Sequence, residues 1–258
     1  MSMKGRNKIQ FGDFQTPPEL AQQVCDLLNR RGFSFASVVE PSCGAGSFVV
    51  ASEIAFPGCE TILGYDINLD HVIVAQAVAS RAKICQEDFF LKDWQKIIMK
   101  LAEPILIVGN PPWVTNSAVC AINGTNLPEK SNIHRLNGFD AITGKSNFDI
   151  SEWMLMRLLE WLSGRSAVLA MLCKTVVARK VLAHAWKTKL QVAESAIYGI
   201  DAMNHFGAAV DACLMVCVLR PRAQSTECNV FDKIDATEPE STIAFRNDRL
   251  IANLDAYT

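Results

Sequence analysis

The sequence predicts an α/β fold: a doubly wound, mostly parallel, seven-stranded Rossmann-like sheet with helices on both faces. Short apolar runs alternate with amphipathic stretches along most of the chain, and the apolar runs are nearly continuous. Such runs are typical of strands in parallel sheets, which are buried on both faces. The composition fits one large core, because 50% of the 258 residues are hydrophobic and 20% are charged.

The same runs give the order of the predicted elements, in which strand and helix take turns. Seven apolar runs predict strands, at residues 37–40, 61–67, 83–88, 104–110, 167–172, 193–198 and 212–219. Amphipathic stretches predict helices, at residues 48–55, 70–82, 91–101, 150–162 and 176–189. The tail after Arg222 is rich in Thr, Glu, Ser and Asp, and residues 242–252 within it predict a short hairpin. We therefore expect a main domain of residues 1–221 and a C-terminal extension of residues 222–258.

The composition argues against several classes of protein. No apolar run is long enough to span a bilayer, and residues 1–10 are polar and basic, so we expect a soluble cytoplasmic protein without a membrane partner. The nine cysteines include no Cys-x-x-Cys pair and no Cys/His group with zinc spacing. We therefore expect buried free thiols and no metal site.

The charge is not typical of a nucleic-acid-binding domain, because the net charge is -2 and the isoelectric point is about 6.1. Its distribution is uneven, however, since no acidic residue occurs between Glu160 and Glu194. Six basic residues fall there: Arg165, Lys174, Arg179, Lys180, Lys187 and Lys189. Two interpretations stay open, a surface that follows a phosphate backbone and a solvated helix with its usual lysines.

A glycine-rich turn follows the first predicted strand. The segment runs Glu40-Pro41-Ser42-Cys43-Gly44-Ala45-Gly46-Ser47-Phe48 and opens the next predicted helix. Glycines allow a ligand to come close to the backbone, and the first turn of a helix offers free N–H groups. The pattern predicts a nucleoside ligand but argues against NAD, whose fingerprint needs a third glycine at the position of Val49.

Acidic residues follow the second and third predicted strands, where parallel strands present their carboxyl ends to one edge of the sheet. Asp66 is well placed there to accept hydrogen bonds from both hydroxyls of a ribose. Asp88 can accept from an adenine amino group, and Phe89 can pack on the adenine ring. Taken singly, each residue has an ordinary alternative role as a helix cap or a core aromatic. The glycine turn and these residues together favour a nucleoside-containing cofactor.

A rigid corner follows the fourth predicted strand and reads Asn110-Pro111-Pro112-Trp113. Two prolines fix φ and supply no backbone N–H, so few local donors consume the neighbouring carbonyls. The side-chain carbonyl of Asn110 and the backbone carbonyl of Pro111 can converge on one planar amino group, while Trp113 offers a stacking face. This arrangement suits a flipped adenine. The alternative for the tetrapeptide alone is an ordinary turn with Trp113 as a core plug.

These segments resemble the motifs of S-adenosylmethionine-dependent amino-methyltransferases that act on adenine in DNA, of the bacterial restriction-modification type. The resemblance extends from about Gly12 to Leu219 and includes the family's amino-terminal motif, here Gln15-Thr16-Pro17-Pro18-Glu19-Leu20-Ala21. It implies that the cofactor is S-adenosyl-L-methionine and that the seven strands form a methyltransferase sheet. The domain of residues 1–221 would then be the catalytic domain.

The resemblance also implies a role for each motif residue. Asn110, Pro111, Pro112 and Trp113 would form the catalytic motif. The cofactor would contact nine residues: Thr16, Glu40, Ser42, Gly44, Gly46, Asp66, Ile67, Asp88 and Phe89. Thr16 would help to hold the cofactor carboxylate. The substrate would be DNA, with the target adenine rotated out of the duplex.

Two features depart from the family pattern. Trp113 stands where Tyr or Phe is commoner, and little sequence follows the last predicted core strand, where such enzymes usually append a recognition domain. Base readout would then come from a specificity subunit, from missing downstream sequence that residues 222–258 begin, or from residues 114–146. That gap is long for a compact fold, and such loops are often binding elements. It closes with Lys145-Ser146-Asn147-Phe148-Asp149, which resembles a family segment but also suits a polar helix cap.

Two other functions stay open. Methyltransferases that act on RNA or on a protein glutamine amide use similar chemistry, because those substrates also present a planar amino group. The chain could instead be a non-catalytic cofactor-binding subunit of a DNA-processing complex, which the acidic isoelectric point favours.

Overall fold

The structure, a computed structural model, describes residues 14–115, 149–254 and 256 of the chain. Two parts of the sequence analysis lie outside these residues. They are the polar N-terminus at residues 1–10 and nearly all of the predicted binding element at residues 114–146, with the residues 145–148 that close it.

The described residues form ten strands and seven helices. The strands are β1 Ser37–Glu40, β2 Thr61–Asp66, β3 Lys83–Gln86, β4 Ile105–Gly109, β5 Ala167–Lys174, β6 Val192–Ile200, β7 Ala212–Leu219, β8 Glu227–Phe231, β9 Ser241–Arg246 and β10 Arg249–Ile251. The helices are α1 Pro18–Arg30, α2 Ser47–Ala55, α3 Leu69–Val78, α4 Trp94–Lys100, α5 Ile150–Leu162, α6 Thr175–Lys187 and α7 Ala202–Phe206. None of these helices has the length and apolar character that a membrane crossing requires.

All ten strands belong to one sheet, in the order β10-β9-β8-β6-β7-β5-β4-β1-β2-β3. Strands β1 to β5 pair in parallel, while β7 runs antiparallel between β5 and β6. The chain reverses its direction of travel across the sheet at β1, whose neighbours are β2 and β4. In such sheets ligands bind outside the carboxyl ends of the strands at this switch point.

The prediction of a mostly parallel sheet with helices on both faces is confirmed. Val38 of β1 packs into a core that also contains Leu20 of α1 and Phe48 of α2. Its neighbour Val39 faces the opposite side and packs into a core with Leu155 of α5. Successive residues of a strand point to opposite faces, so burial on both sides requires the continuous apolar runs seen in the sequence.

The predicted count of seven strands is wrong, because the C-terminal extension adds β8, β9 and β10 to the same sheet. Strand β8 pairs in parallel with β6, and β9 pairs antiparallel with β8. The predicted hairpin is confirmed as β9 and β10, whose turn places Asn247 and Asp248 at positive φ. Strand β8 was not predicted from the sequence, because Cys228 is its one fully buried residue and the segment therefore lacks an apolar run.

Two predicted helix bounds change because acidic side chains compete for backbone N–H groups. Helix α3 ends at Val78, since the N–H groups of residues 80, 81 and 82 donate to the carboxylate of Glu53 at 2.9, 2.7 and 2.7 Å. Helix α4 begins at Trp94, where the Asp93 side chain accepts a hydrogen bond from the Lys96 N–H. Asp93 is therefore the N-cap of that helix.

Candidate active site

A cleft with about 770 Å³ of space between its atoms, part of it open to solvent, lies at the carboxyl ends of β1, β2 and β4. Nine of the thirteen residues that sequence analysis assigned to the site line it: Thr16, Glu40, Ser42, Gly44, Asp66, Ile67, Phe89, Asn110 and Pro112. The structure therefore brings together most of the predicted cofactor-binding residues and half of the predicted catalytic motif. Gly46, Asp88, Pro111 and Trp113 do not line the cleft.

The glycine turn between β1 and α2 is built for close approach to the backbone. Gly44 has φ +50° and donates its N–H to Asp66 Oδ2 at 2.8 Å. A Cβ on Gly44 would lie 2.5 Å from Gln15 Oε1. The same Gln15 oxygen accepts a hydrogen bond from the Ala45 N–H at 2.9 Å, so the amino-terminal motif packs directly on the glycine turn.

Gly46 serves the turn rather than the cleft. It is the N-cap of α2 with φ +93°, in the left-handed region that favours glycine. A Cβ there would lie 3.1 Å from the Ala75 Cβ of α3. Gly46 thus lets helices α2 and α3 pack closely beside the site.

Glu40 ends β1 with its side chain almost fully buried, at 3% exposure. Burial raises the pKa of its carboxyl well above the usual value, and the negative charge of Asp66 raises it further. Glu40 Oε2 and the nearby Ser42 Oγ are buried, and neither has a hydrogen-bond partner among the described residues. Buried polar atoms without partners are costly, and such atoms in a cleft indicate a polar or cationic ligand.

Asp66 ends β2 and uses both carboxylate oxygens to hold the turn. Its Oδ2 accepts from Gly44, its Oδ1 accepts from the Asn68 N–H at 2.8 Å, and His71 Nδ1 lies 3.5 Å from Oδ1. His71 Nε2 in turn lies 3.4 Å from Gln15 Nε2. A ribose at this carboxylate would therefore share it with backbone donors. Sequence analysis did not single out His71, because a lone histidine inside a helix gives no signal.

After β3, the acidic residue that lines the cleft is not the one that the sequence analysis assigned to the site. Asp88 caps its own turn by accepting from the Phe90 N–H at 2.8 Å, whereas Glu87 lines the cleft and pairs with Lys92. Phe89 also lines the cleft, and its ring lies 5.0 Å from the Trp94 ring. Of the two adjacent acidic residues, Glu87 therefore lines the cleft and Asp88 does not.

The Asn110 side chain is held at one end. Its Nδ2 donates to the carbonyl of Phe14 at 3.2 Å, which aims the amide. Its Oδ1 is buried and accepts no hydrogen bond within the described part of the chain. The residue therefore offers one oriented acceptor to the cleft.

Trp113 is buried, with 5% exposure, rather than open to the cleft. Its Nε1 donates to the Leu172 carbonyl at 3.4 Å. The ring centroid lies 6.0 Å from that of Phe14 and 5.1 Å from that of Phe206. The three rings form an aromatic cluster beside Asn110, and both partners are distant in sequence from the tetrapeptide.

The basic residues between Glu160 and Glu194 do not form one free surface. Arg165 pairs with Glu103, Lys174 with Asp149 at 2.7 Å, and Lys180 with Glu152 at 3.0 Å. Half of the six basic side chains thus pair with acidic residues of other segments. For those three, the pairing argues against a surface that follows a phosphate backbone.

The cleft fits S-adenosylmethionine on its donor and acceptor set. The buried carboxylate of Glu40 suits a cationic group, and the unpartnered Ser42 Oγ suits a polar one. The space beside the Gly44 Cα is occupied by the end of the Gln15 side chain, which also lines the cleft and can rotate away from a ligand. Ile67 and Phe89 provide apolar surface for a heterocycle.

No protein-family model matches the sequence. The chain is 45% identical over 254 residues to the Type II methyltransferase M.NspV from a Nostoc species. That alignment covers 96% of this chain but 53% of the relative, so the chain spans about half of the relative's length.

Two solved structures share the architecture at low sequence identity. A Listeria monocytogenes protein assigned to the class I S-adenosylmethionine-dependent methyltransferases matches with a TM-score of 0.55 and 11% identity, over 86% of this chain and 67% of that one. The methyltransferase subunit of a type I restriction-modification system from Streptococcus thermophilus matches with a TM-score of 0.53 and 13% identity, over 84% of this chain and 47% of that one. The chain therefore has the α/β fold of S-adenosylmethionine-dependent methyltransferases and a relative named as a Type II methyltransferase.

Proposed function

We propose that the chain is the catalytic part of a DNA methyltransferase that methylates the exocyclic amino group of a flipped adenine in a restriction-modification system. The observation that carries the proposal is the Asn110 Oδ1, a buried and oriented acceptor in the same cleft as Glu40 Oε2 and Ser42 Oγ, all three without a hydrogen-bond partner among the described residues. One end of the cleft suits a cationic cofactor, and the other suits an amino group. The names of the Nostoc relative and of the Streptococcus thermophilus subunit support methyl transfer as the class of reaction.

Residues at or after the carboxyl ends of β1, β2 and β3 would hold the cofactor. Glu40, Ser42 and the Gly44 backbone would bind its amino acid portion, with Thr16 near its carboxylate, and Asp66, Ile67 and Phe89 would bind its nucleoside. Asp88 and Gly46 would act through the shape of their turns, because neither lines the cleft. Bound S-adenosylmethionine would supply an electrophilic methyl group, so no metal or cysteine nucleophile is required.

The fourth strand end would hold the target base. Asn110 Oδ1 and the Pro111 carbonyl would accept hydrogen bonds from the amino hydrogens and direct the nitrogen lone pair toward the methyl group. A proton of the methylated amino group would then pass to solvent. Trp113 would act through the aromatic cluster by supporting Phe14, the ring of that cluster that lines the cleft, and Pro112 would shape the wall.

Base recognition would need a further element, since three of the six clustered basic residues are already ion-paired. A specificity subunit or a recognition domain in a longer protein would supply it, which agrees with the greater length of the Nostoc relative. Residues 1–221 would form the catalytic domain, and residues 222–258 would extend its sheet. The site of action would be the cytoplasm, where a restriction-modification enzyme meets the DNA of its cell.

Methyl transfer tests the proposal directly. The protein would be incubated with methyl-labelled S-adenosylmethionine and, in parallel, with unmethylated DNA, RNA and protein extract, and digestion would identify the labelled product. We expect label in methyladenine from DNA. Label in RNA or in glutamine would contradict the proposed substrate, and cofactor binding without transfer would favour a non-catalytic subunit.

Asn110→Ala provides the mechanistic arm of this experiment. Removal of one oriented acceptor from the reacting group should lower the transfer rate by about 10²- to 10³-fold. Asn29→Ala is the matched control, because Asn29 is exposed near the end of α1 and does not line the cleft. Transfer to DNA at an unchanged rate by Asn110→Ala would contradict the mechanism.

A further inference from the structure

One ammonium group ties the main chain of the catalytic corner to β5 and to the start of α5. Lys174, the last residue of β5, donates from Nζ to the main-chain carbonyl of Trp113 at 3.2 Å. The same Nζ donates to Asp149 Oδ2 at 2.7 Å. Lys174 is 23% exposed and Asp149 is 8% exposed, so solvent screens this ion pair less than a surface pair.

Asp149 is itself fixed at the start of α5. Its Oδ1 accepts hydrogen bonds from the N–H and the hydroxyl of Ser151, which makes it the N-cap of the helix. Its backbone forms an antiparallel bridge with Thr115, and the Ile150 N–H donates to the Val114 carbonyl at 2.8 Å. The Asp149 carboxylate therefore joins the helix to the Lys174 ammonium, and the backbone of residues 149 and 150 joins both to the chain that leaves Trp113.

We infer that Lys174 is a positioning residue for methyl transfer: with Asp149 it forms a clamp that holds the Asn110–Trp113 corner in its working geometry. This inference rests on the proposed function. Pro111 and Pro112 donate no backbone hydrogen bond, so the corner is not restrained by a ladder of its own. At the far end Lys174 holds the Trp113 carbonyl and the Leu172 carbonyl holds the Trp113 side chain, and at the near end Phe14 holds the Asn110 side chain.

The clamp acts on orientation rather than on cofactor binding, because neither Lys174 nor Asp149 lines the cleft. Small misplacements of a group that orients a reacting atom cost about 10²-fold in rate. Loss of the clamp should thus lower kcat and leave the affinity for S-adenosylmethionine nearly unchanged. A phosphate contact by Lys174 would give a different result, namely a raised KM for DNA and a weaker salt dependence.

The test compares variants of the full chain. Lys174→Met alone leaves the buried Asp149 carboxylate without a cation and can unfold the protein. The double variant Lys174→Met with Asp149→Asn removes both charges, and its asparagine can still cap α5. Lys174→Arg keeps two donors. The matched control, called the Lys180→Met variant below, also carries Glu152→Gln, since Lys180 pairs α6 with the buried Glu152 of α5 at 3.0 Å without a contact to Trp113.

Two measurements keep the inference separate from the proposed function. Hydrogen exchange over residues 113–115 and 149–151 reports the clamp itself, and we expect faster exchange there in the double variant but not in Lys180→Met. Methyl-transfer kinetics on DNA report positioning. We expect kcat to fall by about 100-fold in the double variant, with a cofactor Kd within about threefold of the unaltered protein and with most of the rate retained by Lys174→Arg.

Several outcomes would overturn the inference: an unchanged kcat in the double variant, an equal loss in Lys180→Met, a change confined to KM and its salt dependence, or unchanged exchange. An unaltered protein that transfers no methyl group to DNA would contradict the proposed function instead. Exchange over the two segments would then decide whether Lys174 clamps the corner.

Discussion

Two regions of the sheet differ in whether their buried polar side-chain atoms are hydrogen-bonded. At the binding edge, formed by Glu40 to Gly46, Asp66 and Asn110, three buried polar atoms have no hydrogen-bond partner in the part of the chain that the structure describes. On the framework strands β5, β6 and β7, the described residues contain no such atom. All eight residues of β7 are buried, and eight consecutive residue pairs join it to β5.

The difference separates binding from stability. An unpartnered buried polar atom costs about 1–3 kcal/mol in the absence of a ligand, so the binding edge lowers stability until a ligand satisfies it. The framework strands offset this cost with apolar burial. Substitutions on the framework strands should therefore change stability with little effect on binding, and substitutions at the binding edge should do the reverse.

The largest effect is expected for Leu169→Ala on β5. Leu169 is fully buried, and its truncation should cost about 2–5 kcal/mol of unfolding free energy because the cavity cannot collapse fully. Denaturant unfolding would measure the loss, and cofactor affinity of the folded protein should stay the same. Leu91→Ala, at a leucine with 82% exposure, is the control. Similar losses in both variants would remove the distinction between framework and surface.

Glu40→Gln should give the opposite result at the binding edge. Loss of the carboxylate charge should weaken S-adenosylmethionine binding by about 1.5–3 kcal/mol, more than tenfold in affinity. Calorimetric titration would measure it. The unliganded variant should be at least as stable as the unaltered protein at neutral pH, because the buried charge is gone.

The pH dependence of Glu40 has a definite sign. Its pKa in the folded protein is raised above the usual 4.5 by burial and by Asp66. Between 4.5 and that raised pKa, the folded state holds a proton that the unfolded state has released, so stability falls as pH rises through this window. Glu40→Gln should remove this fall in thermal unfolding without cofactor. The same fall in the variant would contradict the assignment to Glu40.

A pair of glycine substitutions should show a smaller contrast. At Gly199 of β6 a Cβ would lie 2.2 Å from the Asp232 main-chain oxygen, which can move only with the backbone. Gly199→Ala should cost about 1–3 kcal/mol or more of stability through overpacking. At Gly44 the obstacle is the end of the Gln15 side chain, which can rotate away.

Gly44→Ala should therefore cost less stability, about 1–2 kcal/mol for a non-glycine residue at positive φ, yet weaken cofactor binding. Thermal unfolding and cofactor titration of both variants would measure the contrast. Loss of cofactor affinity in Gly199→Ala with unchanged affinity in Gly44→Ala would break the comparison.

Local sequence was sufficient to predict the strands that are buried on both faces. The predicted bounds of the strand at residues 212–219 and of the helix at 150–162 agree with the structure, because continuous burial and an Asp149 cap are both visible in the sequence. Strand β8 was not predictable in this way, since it depends on pairing with β6 across a long separation in sequence. The Glu53 carboxylate that ends α3 likewise contacts the chain after that helix in space but is distant from it in sequence.

The lining of the cleft was predictable where a motif residue stands at or directly after a strand end, as for Glu40, Asp66 and Asn110. Residue type alone did not distinguish Glu87 from Asp88, because only the path of the turn decides which carboxylate faces the cleft. The environment of Trp113 likewise depends on Phe14 and Phe206, which the fold brings together from opposite ends of the domain.

The bridge between Thr115 and Asp149 has a consequence for how this protein can be altered. It places the two ends of a 33-residue stretch side by side on an already folded base. Since the entropy of closing such a stretch grows only by about 0.6 kcal/mol for each doubling of its length, exchanging it for a shorter or longer one should leave the sheet intact. The position is therefore suited to grafting foreign sequences beside the Asn110–Trp113 corner.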